Sequence, residues 1–236
     1  MACPVVYRAE VIPIVEGRST EVLIRVLVVD DHLVVRKGVR ALLMDADGVM
    51  VVGEACDGSE AVVEARRLRP QVILMDLQLP RLDGVEAIRA ILAEQPDIGI
   101  VVLTGTDGDE RILAAVEAGA LGYLAKTSEP EDFLLAISRV AHGELWLPPR
   151  LTRKLLTHLK PRSGGPTPEP LTGRETSVLN LVAKGRTNQQ IANELNIAEA
   201  TVRTHVSHIL DKLGASNRVE AALHALRVGV ATLEES

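Results

Sequence analysis

The stretch Val72-Ile-Leu-Met-Asp76-Leu-Gln-Leu-Pro80 decides how the rest of the chain is read. Its short apolar run matches a strand covered on both faces. The run ends in one carboxylate and then turns at a proline. An unpaired charge is costly to bury. Asp76 therefore belongs at the carboxyl end of a central parallel strand, the edge on which open α/β sheets build their sites.

On both sides of this stretch the pattern alternates. Strands are expected at Ile24–Val29, Val49–Val52, Val72–Met75, Ile98–Leu103 and Leu121–Ala125. Helical periodicity covers His32–Asp45, Ser59–Leu68, Val85–Leu92, Glu110–Glu117 and Glu131–Ala141, with Asp83 placed to cap the third helix. Five strands alternating with five helices predict a doubly wound, five-stranded parallel α/β sheet over residues 24–145. Residues 146–169 hold five prolines, with Pro170 next, and a Gly-Gly pair and read as a linker, with a short basic helix expected at Arg153–Leu159. From residue 170 to 236 the period is purely helical. Thr172–Glu175 and Thr187–Gln190 have the spacing of capping boxes. They open helices to Ala183 and over Gln189–Leu195, and two more follow at Glu199–Leu213 and Arg218–Val228. The tight turn at Asn196-Ile197-Ala198 between the middle two gives a small all-α, four-helix domain with a helix-turn-helix. Residues 1–23 carry Pro13 inside their one apolar piece and are read as an N-terminal tail of no assigned function.

The totals bound the function. Hydrophobic residues make up 47% of the 236 and charged ones 25%, a globular composition, but aromatics are 2%, so the cores are aliphatic. Cys3 and Cys56 match no metal spacing and are too few for a disulfide framework, which implies a reducing, cytoplasmic setting. No apolar run reaches the roughly 20 residues of a membrane helix, and no signal peptide is legible, so no membrane partner is expected. A net charge of −6 argues against nucleic acid until it is divided. Glu21–Leu147 carries −10, Arg150–Arg162 carries +5 and Leu171–Leu233 carries +2. An acidic domain is followed by a basic linker and a mildly basic domain.

Asp30 and Asp31 follow the first strand and Asp76 ends the third, which brings three carboxylates to one sheet edge. They repel one another unless a hard cation joins them, and magnesium suits oxygen ligands and draws in a phosphoryl donor. Thr104 and Lys126, at the ends of the fourth and fifth strands, bring a hydroxyl and an ammonium to the same edge. Taken singly, Asp31 also reads as a helix cap, Thr104 as a turn residue and Lys126 as a surface charge.

Val28-Val-Asp-Asp31, Met75-Asp-Leu-Gln-Leu-Pro-Arg-Leu-Asp-Gly84, Val102-Leu-Thr104 and Gly122-Tyr-Leu-Ala-Lys126 resemble a response-regulator receiver domain, of flavodoxin-like fold. That resemblance implies that Asp76 accepts a phosphoryl group from a sensor histidine kinase. It implies Mg²⁺ on Asp30, Asp31, Asp76 and the backbone carbonyl of Gln78. It also implies that Thr104 and Lys126 contact the phosphoryl oxygens, that Tyr123 is the switch aromatic, and that the domain catalyses its own phosphoryl transfer and loss. Thr127 stands where many receivers have proline.

Leu171-Thr-Gly-Arg-Glu175, Asn188-Gln-Gln-Ile-Ala192, Ala200-Thr-Val-Arg-Thr-His-Val206, Lys212-Leu-Gly214 and Asn217-Arg218 resemble the DNA-binding domain of the LuxR/NarL/FixJ class. In Glu199–Leu213, Val202, Val206, Ile209, Leu210 and Leu213 share a core face, and Arg203, Thr204 and Ser207 lie opposite. Arg203 is the expected base or phosphate contact and Thr204 fits a thymine methyl. Ser207 stands where related proteins often carry lysine. Thr201 and Asn188 are expected at phosphates. Ala198 sits where a serine cap is expected, so this helix should fray at its start. On the last helix Val219, Ala222, Leu223 and Leu226 are assigned to the domain's own core, and Ala221, Ala225 and Val228 to a second copy. The whole predicts a phosphorylation-dependent transcriptional regulator that dimerises on an inverted-repeat site in double-stranded DNA. One alternative is a regulator of the same architecture that works without phosphorylation. Another is an aspartyl-phosphate phosphohydrolase, which needs an acid/base carboxylate where Gln78 stands.

Overall fold

The structure, a computed structural model, describes residues 23–44, 46–105, 109–147, 170–215 and 217–230. The expected N-terminal tail, the proline-rich linker and its basic helix fall outside these residues, save Leu23, Trp146 and Leu147.

The first domain runs β1 (Ile24–Val29), α1 (Leu33–Met44), β2 (Val49–Ala55), α2 (Gly58–Leu68), β3 (Val72–Asp76), α3 (Gly84–Glu94), β4 (Gly99–Thr104), α4 (Asp109–Glu117), β5 (Gly122–Ala125) and α5 (Pro130–Ala141). All five strands are parallel in the order β2-β1-β3-β4-β5. The order reverses between β1 and β3, which leaves a crevice at their carboxyl ends. Strand residues alternate between two cores. Val26, Val28, Val72, Leu74, Val101 and Leu103 pack against α1 and α5. Leu27, Val29, Ile73, Met75, Ile100 and Val102 pack against α2 and α3. Every residue of β3 and β4 is buried, which is why both lack polar alternation.

The elements match the expected alternation with shifts at the ends. The second strand extends to Ala55 through a register shift in its pairing with β1, where Val26 faces Val51 but Leu27 faces Gly53. Asp57 caps α2, which starts one residue earlier than periodicity suggests, accepting from the Glu60 N–H at 2.9 Å. Asp83 caps α3 as expected. The first domain also ends later than residue 145. Trp146 bridges to Gly122, and its carbonyl accepts the Tyr123 N–H at 2.9 Å. Trp146 and Leu147 pack on the first core, so the chain leaves this domain two residues further on.

The second domain contains α6 (Gly173–Ala183), α7 (Asn188–Leu195), α8 (Glu199–Leu213) and α9 (Arg218–Arg227). Both capping boxes form. Ala198 starts α8 with no side-chain cap. Val202 and Ile209 are buried in this domain's core, with Val206, Leu210 and Leu213 packed at its margin. The partner face expected on the last helix is corrected. Ala221 and Ala225 are buried in the domain's own core, and of the three only Val228 is exposed, at 53%. Alanines are small enough to let α9 lie close against α6, so they mark a tight helix contact within the domain.

Glu175 ties this domain together. It accepts from the Thr172 N–H at 2.8 Å and from Lys212 Nζ of α8 at 2.8 Å. The Lys212 hydrogen bond, and next the Thr172 N–H, hold its carboxyl down at about 2. The unfolded chain, titrating near 4.5, takes up the proton first as pH falls. The stability this carboxylate contributes is therefore complete above pH 4.5 and lost towards pH 2. Glu175→Gln should lower the stability of this domain by up to about 3 kcal/mol at pH 7. It should also flatten the acid limb, as read by urea unfolding across pH on NMR signals of α6 and α8.

Candidate functional site

At the crevice, β3 delivers Asp76, β1 is followed by Asp30 and Asp31, β4 ends in Thr104 and β5 is followed by Lys126. Asp30, Asp76 and Thr104 are buried. Lys126 Nζ reaches across from the end of β5, past β4, and lies 2.6 Å from Asp30 Oδ2 and 2.7 Å from Asp76 Oδ2. The other oxygen of Asp76 accepts the Gln78 N–H at 3.2 Å. Asp30 Oδ1 accepts the His32 N–H at 2.8 Å, and His32 Nδ1 lies 2.6 Å from Asp31 Oδ1. Tyr123 stands half-buried on β5, paired in register with Val102.

Electrostatics follows from this crowding. Burial raises the Asp76 carboxyl above the usual range, Lys126 and the Gln78 N–H work against that, and the Asp30 charge adds to it. Burial alone would lower Lys126, but its two carboxylate partners outweigh burial and hold the ammonium above its ordinary value. The oxygens of Asp30, Asp31 and Asp76, with His32 beside them, offer ligand atoms within 4.8 Å of one another. Asp30 Oδ2 is sealed from water and receives no well-directed hydrogen bond among the described residues. Asp31, 35% exposed, opens the cluster to solvent. Such a set fits a hard dication that keeps several waters.

The loop after β3 is braced from outside. Arg111 of α4 donates to the Leu77 carbonyl at 3.1 Å and to Asp83 Oδ2. Arg81 pairs with buried Asp57. A Cβ on Gly84 would lie 2.3 Å from the Asp76 carbonyl, so α3 starts against the Asp76 backbone only because that residue is glycine.

The expected DNA-contact residues divide. Thr201, Thr204 and Ser207 are exposed on α8. Asn188 is buried, donating to Asp97 Oδ1 of the first domain at 2.6 Å and accepting from Arg218 at 3.1 Å. Its expected place at a phosphate is therefore taken by a carboxylate. Arg203 pairs with Glu199 on its own helix and lies 3.3 Å from Asp97 Oδ2. Burial pulls Arg218 down to about 10 against the opposing charge of Asp97, which leaves it protonated at neutral pH. Asn217 caps α9 and donates its amide to the Glu117 carbonyl at the end of α4. Val219 and Leu223 of α9, assigned from sequence to their own domain, are buried in the first domain's core. The turns at Gly143 and Gly185 meet so closely that a Cβ on Gly143 would lie 2.7 Å from the Gly185 carbonyl, and both take positive φ. A cavity of about 490 Å³ remains between Leu92, Ile98 and Leu121 on one side and Arg203, Val206 and Ser207 on the other.

Asp97 and Arg111 carry these contacts and were not singled out in the sequence, nor was the buried Arg36; Asn217 was read only as part of the Asn217-Arg218 motif. Asp97 sits in a Gln-Pro-Asp turn like many others. Arg36 alone left a signal, since it lies three and seven residues before Val39 and Leu43 on the buried side of a helix.

A parallel sheet with a buried carboxylate at a strand end, an acidic crevice and a lysine across it, joined to a helix-turn-helix, is the arrangement of a regulator that couples a charged site to a DNA-binding module. Residues 26–138 match the response regulator receiver domain, and residues 169–225 match the bacterial regulatory proteins of the luxR family. The chain belongs to the two-component response regulators with a luxR-type DNA-binding domain, which regulate transcription. It is 44% identical over 206 residues to the transcriptional regulatory protein LiaR of Bacillus subtilis, covering 87% of this chain and 98% of that one. It is 39% identical to the response regulator VraR of Staphylococcus aureus, over 86% of this chain and 97% of that one. A solved structure of RcsB dimers bound to DNA matches with a TM-score of 0.51 at 27% identity, over 87% of this chain and 98% of that one. No helix among the described residues is long and apolar enough to cross a membrane.

Lys126→Ala should leave the Asp30 and Asp76 carboxylates facing each other with no cation between them. In metal-free buffer it should cost about 3 kcal/mol of stability, and millimolar Mg²⁺ should restore part of the loss, as read by thermal unfolding with and without the ion.

Proposed function

We propose that Asp76 takes a phosphoryl group from the phosphohistidine of a sensor kinase. A carboxylate oxygen of Asp76 forms the new P–O bond, the P–N bond breaks, and its electron pair stays on the imidazole. The observation that carries this reading is the Lys126 ammonium held between Asp30 and Asp76, poised to follow a phosphoryl oxygen. Asp30, Asp31, Asp76 and the Gln78 carbonyl would hold Mg²⁺, which neutralises charge on the transferring group. The Thr104 hydroxyl, at the neighbouring strand end, would take another of the new oxygens. Tyr123, next along the sheet edge, would repack once Thr104 moves.

The added group brings about −1.5 to −2 charges, and their effect is read at the contact between domains. Asp97 occupies two side chains of the DNA-binding half, Asn188 and Arg203, and α8 turns Arg203 and Ser207 towards the cavity between domains. This supports a closed form in which the recognition helix is withheld from the major groove. Phosphorylation would loosen the contact through α4, which Arg111 ties to the acceptor loop and Glu117 to Asn217. Released DNA-binding domains would then pair as a homodimer on an inverted repeat, an assembly supported by the DNA-bound RcsB dimers.

Asp76→Asn should abolish the gain in DNA affinity that acetyl phosphate and Mg²⁺ give the unmodified chain, measured by fluorescence anisotropy on a selected site. An undiminished gain would refute the acceptor assignment. Asp97→Ala should raise the DNA affinity of the unphosphorylated protein about fivefold, since the lost contacts are worth about 1 kcal/mol. An unchanged affinity would exclude Asp97 from the closure.

A further inference from the structure

Arg36 is the buried charge that the site so far leaves unused. It lies on the first turns of α1 with its side chain 5% exposed. One arm donates to the backbone carbonyl of Asp30 at 2.7 Å, and Nε lies 3.4 Å from Glu54 Oε2 on β2. Glu54 also meets Lys37 at 3.3 Å and Arg40 at 3.2 Å. Burial pushes the Glu54 carboxyl up, but the hydrogen bonds from Arg40 and Lys37 outweigh it and hold the group ionised, below the usual range.

The consequence falls on Asp30. Its N–H is held by the Ala55 carbonyl at 3.2 Å, the last rung between β1 and β2. Its carbonyl, where the ladder has ended, is held by Arg36. With the peptide groups on both sides of its Cα fixed, the side chain is delivered in one direction, with Oδ1 on the His32 N–H and Oδ2 beside Lys126. A buried carbonyl left without a donor would turn to find one and swing the carboxylate with it. The Arg36 guanidinium also places a fixed positive charge behind a crevice crowded with carboxylates. Groups one bond removed from a metal ligand set its aim, and their loss commonly costs tenfold or more in affinity.

We propose that Arg36 is a positioning residue for the acidic crevice, fixing the Asp30 carboxylate for a divalent cation through its backbone carbonyl, with Glu54 as the anchor that holds the guanidinium in place. The proposal rests on the crevice being the Mg²⁺ site.

The test uses the full chain and Mg²⁺ alone. Mg²⁺ affinity is measured by isothermal titration calorimetry, and exchange of the His32 amide by NMR in metal-free buffer. Arg36→Met should weaken Mg²⁺ binding about tenfold and speed His32 exchange by a similar factor. Arg40→Gln removes another cation from Glu54 without touching the Asp30 carbonyl, and should leave both readings within about twofold of the unmodified chain while lowering the melting temperature comparably. If Arg36→Met does not fold, Arg36→Lys carries the same test, because one ammonium cannot span both Glu54 and the carbonyl. Equal Mg²⁺ affinity in the Arg36 variant and the unmodified chain, or an equal loss in Arg40→Gln, overturns the positioning role. Failure of the unmodified chain to bind Mg²⁺ at all overturns the reading of the crevice itself, a distinct result.

Discussion

One ammonium between two buried carboxylates sets the terms for the first domain. Lys126 cannot leave Asp30 and Asp76 without exposing them to each other, and a buried like-charge pair is among the costliest arrangements a protein can hold. The pair can exist only if β1, β3 and β5 end at the same level, which the parallel order β2-β1-β3-β4-β5 ensures. It also needs a backbone that approaches closely, and Gly84 admits the start of α3 against the Asp76 carbonyl. A site in which two buried carboxylates share one ammonium is sensitive to any added charge. A further anion on Asp76 redraws the balance at once, because Lys126 has two existing partners and a third to choose.

That response has a short route outwards. The loop after β3 is bonded to α4 through Arg111, and the far end of α4 is bonded to the cap of α9 through Asn217. Asp97, beside this route, meets Asn188 and Arg203. The polar contacts between domains are mostly at part-exposed side chains, where each is worth about 1 kcal/mol or less. The apolar part includes Val219 and Leu223, buried in the first core. Where two arrangements of such contacts differ by a few hydrogen bonds, a modification at one end can shift the population at the other.

The burial of Ala221 and Ala225 shows how a helix pattern misleads when two partners compete for it. Sequence periodicity found two apolar faces on α9 and assigned the alanine face to another copy. The structure turns that face inward and uses Val219 and Leu223 against the first domain. Periodicity reports that a face is covered, and small residues report that the cover is close. Neither reports which surface does the covering. Asn188 illustrates the same limit for polar residues, since an amide donor at a helix start suits a phosphate and a carboxylate acceptor equally well.

What the chain's order of residues determined by itself is the alternation of strands and helices, the five residues brought to the crevice, and the two capped helices that open the DNA-binding domain. Each of these rests on local physics: the period of burial, the cost of an unpaired charge at a strand end, and the satisfaction of free N–H groups by a side chain three residues away. What only the tertiary structure decided is which long-range partner each remaining polar group takes: Arg36 on the Asp30 carbonyl, Arg111 on Leu77, Asp97 on the DNA-binding half. These pairings join residues from 6 to over 90 positions apart, and all but the first link separate elements whose relative placement no local period encodes.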